Sequence, residues 1–183
     1  RVNLIGEHTD YNGGHVFPCA ITMGTYALVR KRTDNRFRFC SLNYPDQGVL
    51  ELPVWELDWK REHGWANYPK GMICTLMKKG VPVACGMDLL YYGDIPKGLG
   101  IGSSASLEVV TGLIIRDLME IKDLNMIDLA LFARLAENEY IGMSSGIMDP
   151  FAIAMGKKDH AILLDTSDLS YEYAPLELPH QKI

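Results

Sequence analysis

The first ten residues, RVNLIGEHTD, set an arginine (Arg1), a glutamate (Glu7), a histidine (His8) and an aspartate (Asp10) around an apolar run at residues 2–5. Glu7, His8 and Asp10 offer more hydrogen-bonding capacity than a turn needs, which suits a polar ligand held by several side chains. A plainer reading makes residues 2–5 a short strand and the polar residues the decoration of a turn that ends at Asn12, Gly13 and Gly14.

A second cluster is PKGLGIGSSAS, residues 96–106. Gly98, Gly100 and Gly102 let the backbone adopt positive φ and approach a ligand closely, and a following helix would present free N–H groups and the positive end of its dipole. Such a construction binds phosphate. It is neither a Walker A loop, lacking the Gly-Lys-Ser/Thr ending, nor a dinucleotide fingerprint. Ser103, Ser104 and Ser106 could donate to phosphate oxygens or ligate Mg²⁺; one of them could instead simply cap the helix.

A third cluster is AENEYIGMSSGIMDPF, residues 136–151. Glu137 falls near a predicted helix C-terminus, where a negative charge is disfavoured and a compensating cation or metal would be welcome. Asp149 precedes Pro150, a pair that also fits a helix N-cap followed by proline at the first helical position.

Several elements must position these groups. Residues 16–30 are rich in apolar and β-branched side chains and read as strand interrupted by Gly24, and the alternating residues 37–41 read as a second strand. Residues 50–65 read as loop with short elements. Helical spacing and a basic end before Gly80 predict a helix over 67–79. Residues 87–92 read as a strand stopped by Gly93 and Pro96, so the glycine loop lies between a strand and a helix marked by Leu107, Val110, Ile114 and Leu118. A further helix is predicted from residue 126 to about 140, capped by Asn125, with Asp128 near its positive end. The sequences HAILLDT and YEYAPLEL close the chain as strands. Strands and helices mix without regular βα alternation, which favours α+β.

The 183 residues suffice for one domain with a sizeable core. At 48% hydrophobic and 22% charged, the composition is that of a soluble globular protein. The net charge of −5 gives no reason to expect nucleic-acid or anionic-membrane partners. Four scattered cysteines suggest neither zinc site nor disulfide scaffold, no run is long enough to span a bilayer, and a cytoplasmic location follows as the simplest expectation.

RVNLIGEHTDYN resembles the galactokinase signature without its leading glycine. PKGLGIGSSAS is similar to the GHMP-kinase phosphate motif P-x-x-x-G-L-(G/S)-S-S-A-(S/A), and GIMDPF resembles that family's G-I-M-D-Q-F. Three matches in this order, over essentially the whole chain, make it resemble the galactokinase family within the GHMP kinases and favour the ligand-binding readings of all three clusters. The resemblance implies an α+β GHMP-kinase N-terminal domain, similar to ribosomal protein S5 domain 2, in which a mixed sheet packs against helices. It also implies ATP-dependent phosphorylation of galactose at its anomeric hydroxyl, with a sugar and ATP as partners and Mg²⁺ as metal.

Carried over, Asp149 matches the catalytic aspartate, and Arg1 the arginine that pairs with it, which should lower its pKa. Glu7, His8, Asp10 and the Gly146 backbone match sugar contacts, as does Asp149. Gly98, Gly100, Gly102, Ser103, Ser104, Ala105 and Ser106 match the phosphate-binding loop, and Ser104 and Glu137 the Mg²⁺ ligands. Pro150 stands where the family has glutamine, and Ile101 where it has leucine. The missing leading glycine and the lack of the family's third motif before Ile183 imply a domain, residues 1–183, truncated at both ends, whose C-terminal partner domain is absent. Such a piece is expected to expose apolar surface, to associate and to be inactive alone, while its parent is a monomer or weak oligomer. Alternatives are a kinase for N-acetylgalactosamine, galacturonate or arabinose, and a non-catalytic sugar- and ATP-binding transducer; retention of Ser104 and Ala105 speaks against the last.

Overall fold

The computed structural model describes residues 1–96 and 98–177. Strands β1 (Val2–Asn3), β2 (His15–Val16), β3 (Pro18–Cys19), β4 (Thr25–Lys31), β5 (Arg36–Ser41) and β6 (Leu50–Pro53) lead into helix α1 (Asn67–Lys78) and strand β7 (Met87–Gly93). Helices α2 (Ser103–Leu118), α3 (Met126–Leu135) and α4 (Met148–Met155) follow, with a π-helical turn at Ala136–Ile141, and then strands β8 (His160–Asp165) and β9 (Tyr171–Pro175). The fold is α+β, as expected. Lys97 of the glycine loop and Leu178, the end of the last predicted strand, lie outside the described residues.

The central four-stranded sheet runs in the order β4-β7-β5-β6 and is mixed, because β5 lies parallel to β7 while the other pairs are antiparallel. The two-residue period of β5 and β7 sends Phe37, Phe39, Met87, Leu89 and Tyr91 inward against α1 and α2. Their other face carries Arg38 and Asp88 within an ion-pair ladder that also joins Arg30, Arg32, Arg36 and Glu51. A second cluster, built on Val16, Ile147, Phe151, Ile162 and Leu164, joins α4 to the three-stranded sheet β2-β8-β9.

The stretch 16–30, expected as strand with one break at Gly24, is divided further. β3 pairs with β1 (Val2↔Cys19), whereas β2 pairs with β8 (Val16↔Leu164), so two partners claim neighbouring residues. This exchange stitches the start of the chain to its final third. The loop expected over 50–65 contains β6 and a 3₁₀ segment at Arg61–Ala66. Buried Lys70 ties that segment down, its Nζ donating to the Asp58 carbonyl (2.5 Å) and meeting His63 Nδ1 (2.6 Å), and desolvation draws its pKa down to about 8.

The apolar stripe of α2 also differs from expectation. Ala105, Glu108, Val109, Gly112 and Ile115 are its buried line, while Leu107, Val110, Ile114 and Leu118 are only partly covered. Close helix crossing explains the rotation: Gly112 faces Met72 of α1 and Leu129 of α3, and an added Cβ would stand 2.4 Å and 2.9 Å from them. α3 begins as predicted, with Asn125 and Asp128 forming a reciprocal capping box (2.9 and 3.1 Å). Among the described residues the four cysteines are free, and no helix is long and apolar enough to cross a membrane.

Candidate active site

Arg1 and Asp149, 148 positions apart, form an ion pair in which both Nε and Nη2 of the guanidinium bond to Asp149 Oδ1. The same arginine is fastened to the glycine loop: Nη1 donates to the Gly100 carbonyl (3.2 Å) and the backbone nitrogen to that of Ile101 (2.8 Å). The remaining carboxylate oxygen, Oδ2, faces Gly102, where a Cβ would lie 3.3 Å from it. Asp149 is not the cap of α4. Ile147 takes that position, placing Asp149 second in the helix and Pro150 third, where a missing N–H leaves no helical bond unmade. The expected downward pKa shift is also overturned. Burial raises the Asp149 pKa, and the opposing pull of Arg1 only partly offsets it.

On one side of this pair lies a cavity of about 510 Å³, a size suited to a small molecule. Glu7, His8, Asp10, Gly146, Asp149 and Arg1 all line it, so the residues singled out at the two distant motifs meet. Local structure fixes each. Asn3 Nδ2 donates to Glu7 Oε1 (3.0 Å), and His8, held at φ +62°, places Nδ1 2.6 Å from the Tyr11 hydroxyl. Asp10 Oδ2 accepts from Met148 N (3.3 Å), and its carboxylate occupies the space a side chain at 146 would need, since a Cβ there would sit 1.7 Å from that oxygen. Only glycine fits. The loop carrying Gly146 is closed by Asn138, whose Oδ1 accepts from both Ser145 N (2.8 Å) and Ser145 Oγ (3.0 Å).

The glycine loop separates that cavity from a second one. Gly98, Gly100 and Gly102 all have φ between +66° and +80°, and Gly102 is the N-cap of α2. Ser103 and Ser104 therefore stand inside the helix and make no capping bond, which removes the capping explanation for them; they line the second cavity instead. Ala105 and Ser106 are buried, and Ser106 borders a separate hollow beside Ile153, away from Ser103 and Ser104.

The second cavity is walled by aromatic rings. Tyr44 and Trp65 stack with centroids 6.2 Å apart and planes 5° from parallel, and Trp65 meets Tyr91 edge-on at 5.8 Å. Tyr68 and Tyr92 complete the wall. None of these rings was singled out from the sequence; they come from separate elements, and only the excess of aromatics at 65, 68, 91 and 92 hinted at them.

Glu137 sits in the π-helical turn, 6% exposed, on the wall of the first cavity. Near it is Glu108, which sequence reasoning passed over: fully buried, with neither carboxyl oxygen hydrogen-bonded. Burial first, and the nearby Glu137 charge second, push the Glu108 pKa well up. Among the described residues no three His, Cys, Asp or Glu side chains converge as a metal cage, so any cation here would draw on hydroxyl, water or ligand oxygens as well.

Comparison with known proteins identifies the family of the chain. Residues 1–31 match the family description "Galactokinase galactose-binding signature", and residues 67–157 match "GHMP kinases N terminal domain". The chain is 50% identical over its full length to a galactokinase of Fusobacterium nucleatum, covering 47% of that protein. It is 54% identical over 178 residues to one of Exiguobacterium sibiricum, covering 97% of this chain and 45% of the relative. The chain thus spans about half the length of the curated relatives it matches. Its fold superimposes on the crystal structure of Lactococcus lactis galactokinase complexed with galactose with a TM-score of 0.92 and 45% identity, over 96% of this chain and 45% of that one. Methanococcus jannaschii mevalonate kinase shares the fold at a TM-score of 0.75 and 20% identity, over 96% of this chain and 53% of that one. The chain belongs to the galactokinase family of the GHMP kinases.

Proposed function

We propose that this chain is the sugar- and phosphate-binding N-terminal domain of a cytoplasmic kinase that transfers the γ-phosphoryl group of ATP to the anomeric hydroxyl of galactose. The observation that carries this reading is the Arg1–Asp149 pair, set between a cavity lined by sugar-binding side-chain types and a glycine loop at a helix N-terminus. The approximately 50% identity to galactokinases favours galactose over its C2-amino and C6-acid analogues and over arabinose.

In this reading Glu7, His8 and Asp10 hold sugar hydroxyls, and their fixed geometry penalises an epimer that would leave a buried polar group unpaired. The aromatic cavity takes the base of ATP, and the loop at Gly98–Ser104 takes its phosphates, aided by the free N–H groups at the start of α2. Asp149 accepts the proton of the anomeric hydroxyl as its oxygen bonds to the γ-phosphorus and the bond to the β-phosphate oxygen breaks, releasing ADP. Burial suits Asp149 to this work, because it brings the carboxylate's basicity closer to neutral pH. Arg1 keeps the carboxylate oriented and offsets charge developing on the transferred group.

Ser104 and Glu137 offer the hard oxygen donors that Mg²⁺ prefers, and the unpartnered Glu108 carboxyl beside them fits a place meant for positive charge. A bound cation would neutralise phosphate charge there.

A coupled ADP-release assay of the intact protein with galactose, glucose, arabinose and the C2-amino and C6-acid analogues tests the reading. Galactose is expected to be turned over best, and Asp149→Asn to lower kcat by about 10²–10⁴-fold, the worth of a positioned base. Turnover of glucose but not galactose would overturn the substrate, and an undiminished Asp149→Asn rate would overturn the role of Asp149.

A further inference from the structure

A carboxyl group buried without a hydrogen-bond partner is costly, and folded proteins rarely keep one that serves nothing. Glu108 is such a group: 0% exposed, with Oε1 and Oε2 both unpartnered. Its position is specific. It lies four residues after Ser104 on α2, hence on the same helix face one turn deeper, and close enough to Glu137 and Tyr68 for the Glu137 charge to be felt at Glu108 and the Glu108 charge at Tyr68. Ser104 and Tyr68 line the aromatic cavity and Glu137 lines the sugar cavity, so Glu108 lies behind residues of both cavities. Two acidic side chains thus lie close together under the phosphate loop, and no cation of the protein's own is bonded to Glu108.

We propose that Glu108 is a positioning residue for the divalent cation that accompanies ATP, a second carboxyl group beneath Ser104 and Glu137 whose charge in the cation-bound state holds the cation in place. This rests on the reading of Ser104 and Glu137 as the cation's side-chain donors. Glu108 acts through that pair, in the way that outer groups around a metal tune its affinity and orient its ligands. The arrangement also accounts for the burial: a cation held by Ser104 and Glu137 would offset the charge of a carboxyl that has neither water nor a hydrogen bond.

The test is Mn²⁺ binding to the intact protein in the presence of the non-hydrolysable β,γ-imido analogue of ATP, followed by electron paramagnetic resonance. Glu108→Gln, nearly isosteric but uncharged, is expected to weaken Mn²⁺ binding by about 10–100-fold, the range for groups just outside a metal's ligands. Its melting temperature in EDTA should change little, since the amide takes the place of a carboxyl that has no hydrogen bond to lose. Glu108→Asp, which keeps the charge, is expected to retain most of the affinity. It also serves as the decisive variant should Glu108→Gln not fold. If Glu137→Gln weakens Mn²⁺ binding while Glu108→Gln leaves it unchanged, the inference is wrong and the cation reading stands. If neither changes it, the cation reading fails and takes the inference with it. Equal losses in Glu108→Gln and Glu108→Asp would reveal a packing role and also overturn the inference.

Discussion

Replacing Gly146 by alanine should cripple sugar binding while leaving the fold and nucleotide binding intact. The added Cβ would stand 1.7 Å from Asp10 Oδ2 and 2.1 Å from Asp10 Cγ, and ordinary contact begins at 3.4 Å. The carboxylate must therefore retreat by the difference, 3.4 minus 1.7, or about 1.7 Å. Among the described residues its departure is resisted by one bond, the 3.3 Å contact from Met148 N, so Asp10 moves rather than the helix behind it. A misplacement on the order of 1 Å can cost about 10²-fold, and loss of one charge-assisted hydrogen bond about 1.5–3 kcal/mol, two routes to the same size of effect. The expected result is a fall in kcat/KM for galactose of about 100-fold, or about 2.7 kcal/mol, carried mainly by KM, with KM for ATP unmoved. Initial rates at varied galactose and saturating ATP measure it. Gly24→Ala is the control, because a Cβ there meets nothing within 4 Å. A Gly146→Ala enzyme whose galactose KM matches the parent would refute the claim that Asp10 is held in place by the bare backbone at 146.

Two further outcomes follow from the geometry. Because burial raises the Asp149 pKa and Arg1 opposes it, the acid limb of the kcat/KM profile should fall above the about 3.9 of an ordinary aspartate. Arg1→Met, which removes the opposing charge, should move that limb to still higher pH, and a limb that moves down, or not at all, would contradict the assigned balance. Asn125→Ala removes one half of the capping box on α3 and should cost about 1 kcal/mol, lowering the melting temperature by about 2–4 °C with KM values unchanged. Thermal denaturation monitored by circular dichroism checks this, and an unaltered midpoint would mean that packing alone holds the helix start.

Legibility from sequence followed the range of the interactions. The alternation of 37–41 is readable because that strand has one buried face, the strand at 87–92 because Gly93 and Pro96 stop it, and the glycine loop because its residue types are chosen by its own backbone. The register change between β2 and β3 was hidden, since it depends on partners at Val2 and Leu164 that no local pattern announces. The rotated stripe of α2 was misread for a related reason. Large apolar residues drew attention to 107, 110, 114 and 118, whereas tight crossing of α1 and α3 selects the small residues Ala105 and Gly112, and with them carries Glu108 inward. A glutamate amid helical apolar residues ordinarily faces water, so only three-dimensional placement exposes its cost. The site followed the same logic: Glu7, His8, Asp10 and Asp149 were visible as motifs, while the rings of Tyr44, Trp65 and Tyr91 converge from three places and were not.

The π-helical turn at Ala136–Ile141 fixes something beyond the place of Glu137. A π turn is an α-helical turn that has accepted one extra residue. Removing Glu139 from it would narrow the turn to regular helix and change the angular spacing of the residues within it, Glu137 and Asn138 among them. Asn138 would then be turned away from Ser145, and the loop that brings Gly146 against Asp10 would lose the side chain that closes it. The chain between α3 and α4 is therefore constrained in length as well as in composition: a conservative replacement there costs one contact, whereas deletion of Glu139 would loosen one wall of the sugar cavity while leaving every motif residue in the sequence.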